Sequence, residues 1–171
     1  MPRQLLIMRH AKSAWDTNAP SDFERPLAKR GLRDAPRMGS WLKKQKLTPD
    51  LVISSPAERA KQTAQIVSKA MGLKKKRIQW DSRVYGAGTE DLLEILAELA
   101  KKNKSVILIG HNPGLEFLYA YLVGPEGMMG IDAGLIKTAT VVQLEMPEDW
   151  NDLKSGSAKL ITVQNPGDLP S

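Results

Sequence analysis

The fold of this chain follows from one stretch near its start, Gln4-Leu5-Leu6-Ile7-Met8-Arg9-His10. A mostly apolar run leads directly into an arginine and a histidine, and a short run of this kind is typical of a buried strand in an α/β sheet. Ligands of open α/β sheets bind outside the carboxyl ends of the strands. The sequence therefore places Arg9 and His10 where we expect chemistry to occur.

Predicted strands and helices alternate along the rest of the chain. This alternation predicts an α/β fold, a three-layer α/β/α sandwich with a mostly parallel central sheet and an antiparallel edge strand. An irregular loop rich in glycine and proline is expected over 124–134. Further strands are predicted at 51–54, 77–80, 105–110, 138–146 and 159–163, and helices through 32–42, over 57–71, after Thr89 and from about 114 to about 123.

Length and composition are those of an ordinary globular protein, with 171 residues, 42% of them hydrophobic and 26% charged. This length predicts a single domain over residues 1–171. No apolar stretch approaches the roughly 20 residues of a membrane span, and no basic segment followed by a long apolar one opens the chain. The lack of cysteine excludes disulfides, thiolate nucleophiles and cysteine-ligated metal centres. We therefore expect a cytoplasmic protein without a membrane partner.

The net charge of +6 is expected either of a soluble basic protein without a special partner or of one that prefers anions such as phosphates, nucleic acid or acidic proteins. One basic cluster is found at Lys74-Lys75-Lys76-Arg77. It lies between a predicted helix and a predicted strand, and it has no interleaved aromatic residues of the kind that stack on bases. A solvated loop is therefore favoured over a nucleic-acid site.

The two histidines of the chain stand in equivalent positions. His10 and His111 each come directly after an apolar strand, so both are expected at the carboxyl edge of one sheet. Arg59 lies four residues after Ser55, near the start of a helix that follows a strand, which adds a cation at the same edge. Taken alone, Arg59 would be a surface residue paired with an acid. Two histidines could also bind zinc, but no carboxylate occurs at ligand spacing from either.

Together these residues predict a phosphate pocket that contains a nucleophile. The guanidinium groups of Arg9 and Arg59 offer planar donor forks that suit phosphoryl oxygens. One neutral imidazole can attack phosphorus and form a covalent phosphohistidine, while the arginines and the other, protonated histidine stabilise charge on the equatorial oxygens. The arginines help to keep the nucleophile neutral, because like charge lowers a histidine pKa. No metal or other cofactor is needed, since the protein supplies the cations.

At these positions the sequence resembles the histidine phosphatase superfamily, the group that includes the phosphoglycerate mutases. The family's Arg-His-Gly signature after the first strand is present as Arg9-His10-Ala11, with alanine in place of the glycine. The matches follow the family's order from residue 4 to about residue 146. The other matching segments are Lys12-Ser13-Ala14-Trp15-Asp16, with aspartate where asparagine is usual, Leu27-Ala28-Lys29-Arg30-Gly31, residues 54–64, Gly110-His111-Asn112 and Lys137-Thr138-Ala139-Thr140.

The resemblance implies a phosphoglycerate mutase-like fold, a phosphatase or phosphotransfer activity, and inorganic phosphate as the product of hydrolysis. It also implies a role for each residue of the pocket. The expected roles are nucleophile for His10, phosphoryl binding for Arg9, Arg59 and His111, and a position near the pocket for Ser13 and Asp16.

The sequence departs from the family at the proton donor. Many members carry a glutamate shortly before a Tyr-Gly pair, and alignment on Tyr85-Gly86 places Ser82 at that position. Asp81 is adjacent and Glu90 lies further on, so the general acid is either missing or supplied by one of these two. An alkoxide leaving group needs a proton, and losing that help costs about 10²–10⁴-fold in rate. An imidazole leaving group needs it much less, and a compact chain without this acid resembles the SixA-type phosphohistidine phosphatases.

The favoured hypothesis is therefore a phosphatase that acts on protein phosphohistidine, for example on a histidine-phosphotransfer domain. The alternative is a small-molecule phosphomonoesterase of the same superfamily, with Asp81 or Glu90 as its acid. A mutase is less favoured, because it needs an acid and a second recognition surface. A phosphoprotein-binding module without turnover belongs to another class, and His10 argues against it because binding alone requires no nucleophile. Nucleic-acid binding through residues 74–77 is the most distant possibility.

Overall fold

The structure is a computed structural model that describes residues 2–129 and 136–170. Within these residues strands alternate with helices as far as the fourth helix, and two further strands follow. A 3-10 turn at Asp22–Glu24 lies in the connection after the first strand. The elements are β1 (Arg3–Arg9), α1 (Lys29–Lys44), β2 (Leu51–Ser54), α2 (Glu58–Met71), β3 (Ile78–Trp80), α3 (Thr89–Ala97), β4 (Ser105–Gly110), α4 (Gly114–Gly127), β5 (Val141–Met146) and β6 (Lys159–Gln164).

The strands of the described residues form one sheet in the order β3-β2-β4-β1-β5-β6. β1 lies inside the sheet, where it pairs parallel with β4 and antiparallel with β5. β2 pairs parallel with both β3 and β4. The edge strand β6 pairs antiparallel with β5, so the antiparallel pairings are confined to that end of the sheet. This is the mostly parallel sheet with an antiparallel edge strand that the sequence predicts.

β1 is buried on both faces, which explains why its sequence is an unbroken apolar run. Successive side chains of a strand point to opposite faces. Leu5 and Ile7 pack among residues of α3 and α4, whereas Leu6 and Met8 pack among residues of α1 and α2. All four are fully buried, and each such side chain contributes about 1.5–3 kcal/mol relative to an exposed position. Helices therefore cover both faces, and the predicted three-layer sandwich is confirmed.

The parallel pairing of β1 with β4 brings the two histidine positions together. Arg9 lies opposite Gly110 in the register, so His10 and His111 leave the same edge of the sheet side by side. The backbone N–H of His10 donates to the carbonyl oxygen of Gly110 at 3.0 Å, which extends the pairing by one residue. Ser55, directly after β2, is hydrogen-bonded to β4 at the same edge.

The first turn of α1 packs against the chain that follows His10. The N–H of Ala28 donates to the carbonyl oxygen of Lys12 at 2.8 Å, and a Cβ at Gly31 would lie 2.2 Å from that same oxygen. Only glycine tolerates so close an approach. This steric requirement explains the glycine at the end of the family-like segment 27–31, and the contact fixes the course of the chain out of the site.

α4 is longer than the sequence predicts. Its hydrogen bonding continues to Gly127, past a break at Gly124, where φ is 73° and a Cβ would lie 2.9 Å from the Cα of Gly156. The irregular loop predicted over 124–134 therefore starts in helix, and its residues 130–134 lie outside the described residues. None of the helices that the structure describes is long and apolar enough to cross a membrane.

Candidate active site

The imidazole rings of His10 and His111 lie next to each other at the carboxyl edge of the sheet. Their centroids are 5.2 Å apart and their planes are tilted by 51°. Arg9 ends β1, and Arg59 lies in the first turn of α2. The charges of both guanidinium groups lower the pKa of His10 and of His111. The structure therefore brings together the four residues that the sequence predicts for the pocket.

Hydrogen bonding fixes the orientation of the His10 ring. Its Nδ1 lies 2.7 Å from the carbonyl oxygen of Ala11. Because a carbonyl can only accept, Nδ1 carries the proton and Nε2 the free electron pair. Ala11 is itself held, since its N–H donates to Thr63 Oγ1 at 3.0 Å, and the Thr63 hydroxyl donates to the Arg59 carbonyl at 2.7 Å. The ring is thus tied to α2 through buried hydrogen bonds.

Burial keeps His10 neutral. Only 6% of the residue is exposed, and this desolvation is the main cause that lowers its pKa to about 3. The hydrogen bond to the Ala11 carbonyl raises the pKa of His10, whereas His111 and the two nearby arginines lower it further. His10 therefore has an unprotonated ring nitrogen throughout the neutral pH range, as a nucleophile requires.

His111 is also held neutral by the protein's own groups. Its Nε2 lies 2.8 Å from Ser55 Oγ. Burial, followed by the charge of Arg59, lowers its pKa to about 4, and the Asp22 carboxylate opposes this shift. The protonated second histidine expected from the sequence is therefore not favoured by these groups alone. A phosphoryl dianion would favour it, because an opposite charge raises a histidine pKa.

Arg59 is bound by a residue that the sequence does not single out. Its Nη1 donates to the backbone carbonyl oxygen of Asp22 at 2.7 Å, and its Nη2 donates to Asp22 Oδ2 at 3.0 Å. The Arg59 side chain is 7% exposed, whereas that of Asp22 is 50% exposed. An anion that enters the pocket therefore competes with the Asp22 carboxylate for this guanidinium.

Asp22 is held as an anion by three donors. The Tyr85 hydroxyl donates to Oδ2 at 2.7 Å, and Arg25 Nε donates to Oδ1 at 3.1 Å. These hydrogen bonds, that of Tyr85 foremost and that of Arg59 next, lower the pKa of Asp22 to about 2. A carboxylate of this kind accepts hydrogen bonds near neutral pH and has no proton to give.

Three aromatic rings lie against His111 or against residues linked to Asp22. Tyr85 packs edge-to-face against His111, with centroids 5.4 Å apart, and against Phe23, with centroids 5.1 Å apart. Trp15 stacks on Arg25, whose Cζ lies 3.6 Å from the ring centroid. All three rings are partly exposed. We call the side chains of Asp22 and Tyr85 the mouth of the pocket, since both are partly exposed and each contacts a buried pocket residue, Asp22 Arg59 and Tyr85 His111.

Among the described residues, the Arg9 side chain has few protein partners. Its Nη1 lies 3.4 Å from the carbonyl oxygen of Ile136, and this is the one hydrogen bond of its side chain within the described residues. Burial lowers its pKa, and the nearby Glu116 carboxylate opposes that shift. The guanidinium of Arg9 can therefore offer further N–H groups to phosphoryl oxygens.

Ser13 and Asp16, the two further residues expected near the pocket, differ in their surroundings. Ser13 is buried, and its Oγ accepts from Arg25 Nη1 at 2.9 Å. Ser13 thereby helps to hold Arg25, which donates to Asp22, and within the described residues its hydroxyl has no hydrogen bond to either histidine. Asp16 is exposed and makes no hydrogen bond or ion pair with the described part of the chain. The structure thus connects Ser13 to the pocket indirectly and gives Asp16 no such connection.

The two candidate proton donors, Asp81 and Glu90, differ in their surroundings. Asp81 accepts from Arg83 Nη2 at 2.7 Å and from Arg83 Nε at 3.0 Å, and these hydrogen bonds lower its pKa. Glu90 is exposed in the first turn of α3. Across residues 2–129 and 136–170, neither carboxylate makes a hydrogen bond or ion pair with His10 or His111. No described group of three or more His, Asp or Glu side chains is placed to hold a metal ion.

The sequence and the structure resemble known proteins. The family described as histidine phosphatase superfamily (branch 1) matches residues 5–84. An uncharacterized protein of Mycobacterium tuberculosis is 30% identical over 163 residues, covering 93% of this chain and 99% of that protein. Phosphohistidine phosphatase SixA of Escherichia coli is 30% identical over 149 residues, covering 86% and 88%. The solved structure of the protein histidine phosphatase SixA complexed with tungstate has a TM-score of 0.81 and 27% identity, covering 98% of this chain and 99% of that one.

Proposed function

The chain belongs to the histidine phosphatase superfamily, and from this we propose that it hydrolyses protein phosphohistidine through a covalent phosphoryl intermediate on His10. The observation that carries the proposal is the contact of His10 Nδ1 with the Ala11 carbonyl. It leaves Nε2 as the one ring nitrogen with a free electron pair. A neutral imidazole fixed in this way can attack phosphorus.

In the first step, His10 Nε2 forms a bond to phosphorus and the bond between phosphorus and the leaving group breaks. Negative charge is spread over the three equatorial oxygens as this happens. Arg9 and Arg59 bind those oxygens, and His111 becomes an additional cationic donor when the dianion raises its pKa. Asp22 releases the Arg59 fork as the phosphoryl group takes its place.

In the second step, water attacks the phosphoryl group on His10 and releases inorganic phosphate. The bond between phosphorus and Nε2 breaks, and His10 returns to its neutral form with the proton still on Nδ1. The positive charge that the transfer needs comes from Arg9, Arg59 and His111, so the proposed mechanism uses no metal and no other cofactor.

The proposed substrate class follows from the proton donors that the described residues offer. Asp81 is held ionised by Arg83, and Asp22 by Tyr85 and Arg59. An alkoxide would therefore leave without a proton, which costs about 10²–10⁴-fold in rate. An imidazole can take up the electron pair without a proton from the enzyme. This difference supports phosphohistidine over a phosphate ester.

The exposed mouth of the pocket supports a protein-borne substrate. Phe23 and Tyr85 are partly exposed around it, so a phosphohistidine on the surface of a partner can approach His10 from that side. We therefore propose a phosphorylated protein as partner, for example a histidine-phosphotransfer domain, acted on by one domain over residues 1–171. The cytoplasmic location stays a prediction.

Phosphate release from two substrate classes tests the proposal. A histidine-phosphorylated phosphotransfer domain and a series of phosphate esters are each incubated with the wild-type protein and with His10→Ala. We expect the phosphohistidine protein to give the higher kcat/KM and His10→Ala to be inactive on both. Rapid release from esters with the phosphohistidine protein left intact would instead identify a small-molecule phosphomonoesterase. Tight binding of the phosphoprotein without release would identify a binding module.

A further inference from the structure

We propose that Asp22 is a further catalytic residue, whose carboxylate binds the N–H of the substrate's phosphorylated imidazole and keeps that ring protonated until it leaves. This inference rests on the proposed function, since it requires a phosphohistidine substrate. It assigns a task to Asp22, whose carboxylate is the one that contacts a phosphoryl-binding residue at the mouth among the described residues.

The position of the nucleophile determines where the leaving group lies. His10 is almost fully buried at the floor of the pocket, and the attacking and leaving atoms of a phosphoryl transfer lie roughly in line. The leaving imidazole therefore lies on the solvent side of the phosphoryl group. Asp22 and Tyr85 form the mouth on that side, and Asp22 is joined to Arg59, which binds the phosphoryl oxygens.

Asp22 keeps two of its donors when Arg59 turns to the phosphoryl group. The Tyr85 hydroxyl remains on Oδ2 and Arg25 Nε on Oδ1. Arg25 is itself fixed, since its Nη1 donates to Ser13 Oγ at 2.9 Å and to the carbonyl oxygen of Ala14 at 3.1 Å. The carboxylate therefore stays in place, and the departure of Arg59 frees an acceptor position on Oδ2.

The protonation state of the leaving ring decides how readily the phosphorus–nitrogen bond breaks. If the second ring nitrogen carries a proton, the electron pair of the broken bond returns to the ring and a neutral imidazole departs. Without that proton the ring would depart as an anion. A fixed carboxylate favours the protonated ring, because an opposite charge stabilises the imidazolium. No proton then moves during the transfer.

The enzyme's own histidine has the same arrangement. His10 Nδ1 donates to the Ala11 carbonyl while Nε2 takes up the phosphoryl group. His10 therefore becomes a phosphorylated ring with a proton on its second nitrogen, as the substrate was before the transfer. Before and after the transfer, the ring that carries the phosphoryl group also carries a proton on its other nitrogen. The Ala11 carbonyl accepts the hydrogen bond of this N–H in His10, and the Asp22 carboxylate accepts it in the substrate. This symmetry explains how the reaction can proceed without a carboxylic acid.

Asp22→Asn tests the inference, with Glu24→Gln as its matched control. Glu24 lies in the same 3-10 turn and is exposed, and its carboxylate has no partner among the described residues. The substrates are a phosphohistidine peptide, N-phospho-N′-methylimidazolium and p-nitrophenyl phosphate. The ring of the methylated substrate is cationic although its second nitrogen carries no proton. The leaving group of p-nitrophenyl phosphate departs without needing a proton. Enzymatic rates are corrected for spontaneous hydrolysis.

We expect Asp22→Asn to lower kcat/KM for the phosphohistidine peptide by about 10- to 100-fold, the range of one charge-assisted hydrogen bond. The methylated substrate and p-nitrophenyl phosphate should be hydrolysed at least as fast as by the wild type, and Glu24→Gln should match the wild type on all three. Asp22→Glu, which keeps the charge on a longer side chain, should recover part of the loss.

Three outcomes would overturn the inference. Equal losses on all three substrates would indicate a structural role, and gains on all three would indicate that Asp22 only competes with the phosphoryl group for Arg59. A loss confined to alkyl phosphate esters, added as a fourth substrate, would make Asp22 a proton donor. Failure of the proposed function is separate, because the wild-type protein would then leave the phosphohistidine peptide intact before any variant is compared.

Discussion

Thr63→Val tests how the fold orients the nucleophile. Thr63 is fully buried in α2, where its hydroxyl accepts from the Ala11 N–H and donates to the Arg59 carbonyl. Valine keeps the shape of the side chain but removes the acceptor. The Ala11 N–H is then buried without a partner. Ala11, whose carbonyl oxygen accepts the hydrogen bond from His10 Nδ1–H, is no longer held by Thr63.

The size of the effect follows from these contacts. A buried donor left without an acceptor costs about 1–3 kcal/mol, so the free energy of unfolding should fall by that amount. Loss of the anchor also lets the His10 ring leave the orientation needed for attack. We expect kcat to fall about tenfold, which corresponds to about 1.4 kcal/mol of activation free energy.

Ser68→Ala is the matched control, because Ser68 also lies buried in α2 but its Oγ has no hydrogen-bond partner in the described residues. Urea unfolding gives the free energy of each variant, and phosphate release from a phosphohistidine protein gives kcat. Equal unfolding free energies for Thr63→Val and Ser68→Ala, with kcat unchanged in both, would refute the reasoning. A loss of stability alone would confine Thr63 to a role in folding.

Three other predictions concern charge. Folded His10 has a pKa of about 3 and unfolded histidine one of about 6.5, so the unfolded chain binds more protons between these values. The unfolding free energy from urea titrations should therefore fall as pH drops through this window, and a flat profile would contradict the burial of a neutral His10. Arg59→Ala should lower kcat/KM by about 10²–10³-fold, with Arg59→Lys recovering only part because lysine lacks the planar fork. Asp81→Asn and Glu90→Gln should leave ester hydrolysis unchanged, and an ester-specific loss in either would identify a proton donor.

The pocket's four main residues could be predicted because each is attached to a strong periodic signal. Apolar runs identify β1 and β4, and parallel strands end at the same edge of a sheet. Recognition of both strands therefore places His10 and His111 at one edge of the sheet, and the pairing of β1 with β4 in the structure makes them neighbours. The strand-to-helix turn after β2 also predicts the position of Arg59. It does not predict the direction in which the Arg59 side chain points.

The mouth could not be predicted in the same way. Asp22 lies in an irregular connection without periodicity, and its partners Tyr85 and Arg59 are 63 and 37 residues away in sequence. In the sequence, Tyr85 is significant only as part of the Tyr-Gly pair that places Ser82 at the position of the expected acid. The neutral form of His111 without a bound anion could not be predicted either, because it depends chiefly on how deeply the ring is buried, and burial and the charge of Arg59 both lower its pKa.

Transfer of the phosphoryl group to His10 is the central claim, and trapping it is the most direct test. The protein is mixed rapidly with a histidine-phosphotransfer domain carrying a radiolabelled phosphoryl group, quenched in alkali and mapped by peptide. The account predicts label on the peptide that contains His10 and none in His10→Ala. Label on another residue, or steady phosphate release by His10→Ala, would contradict it.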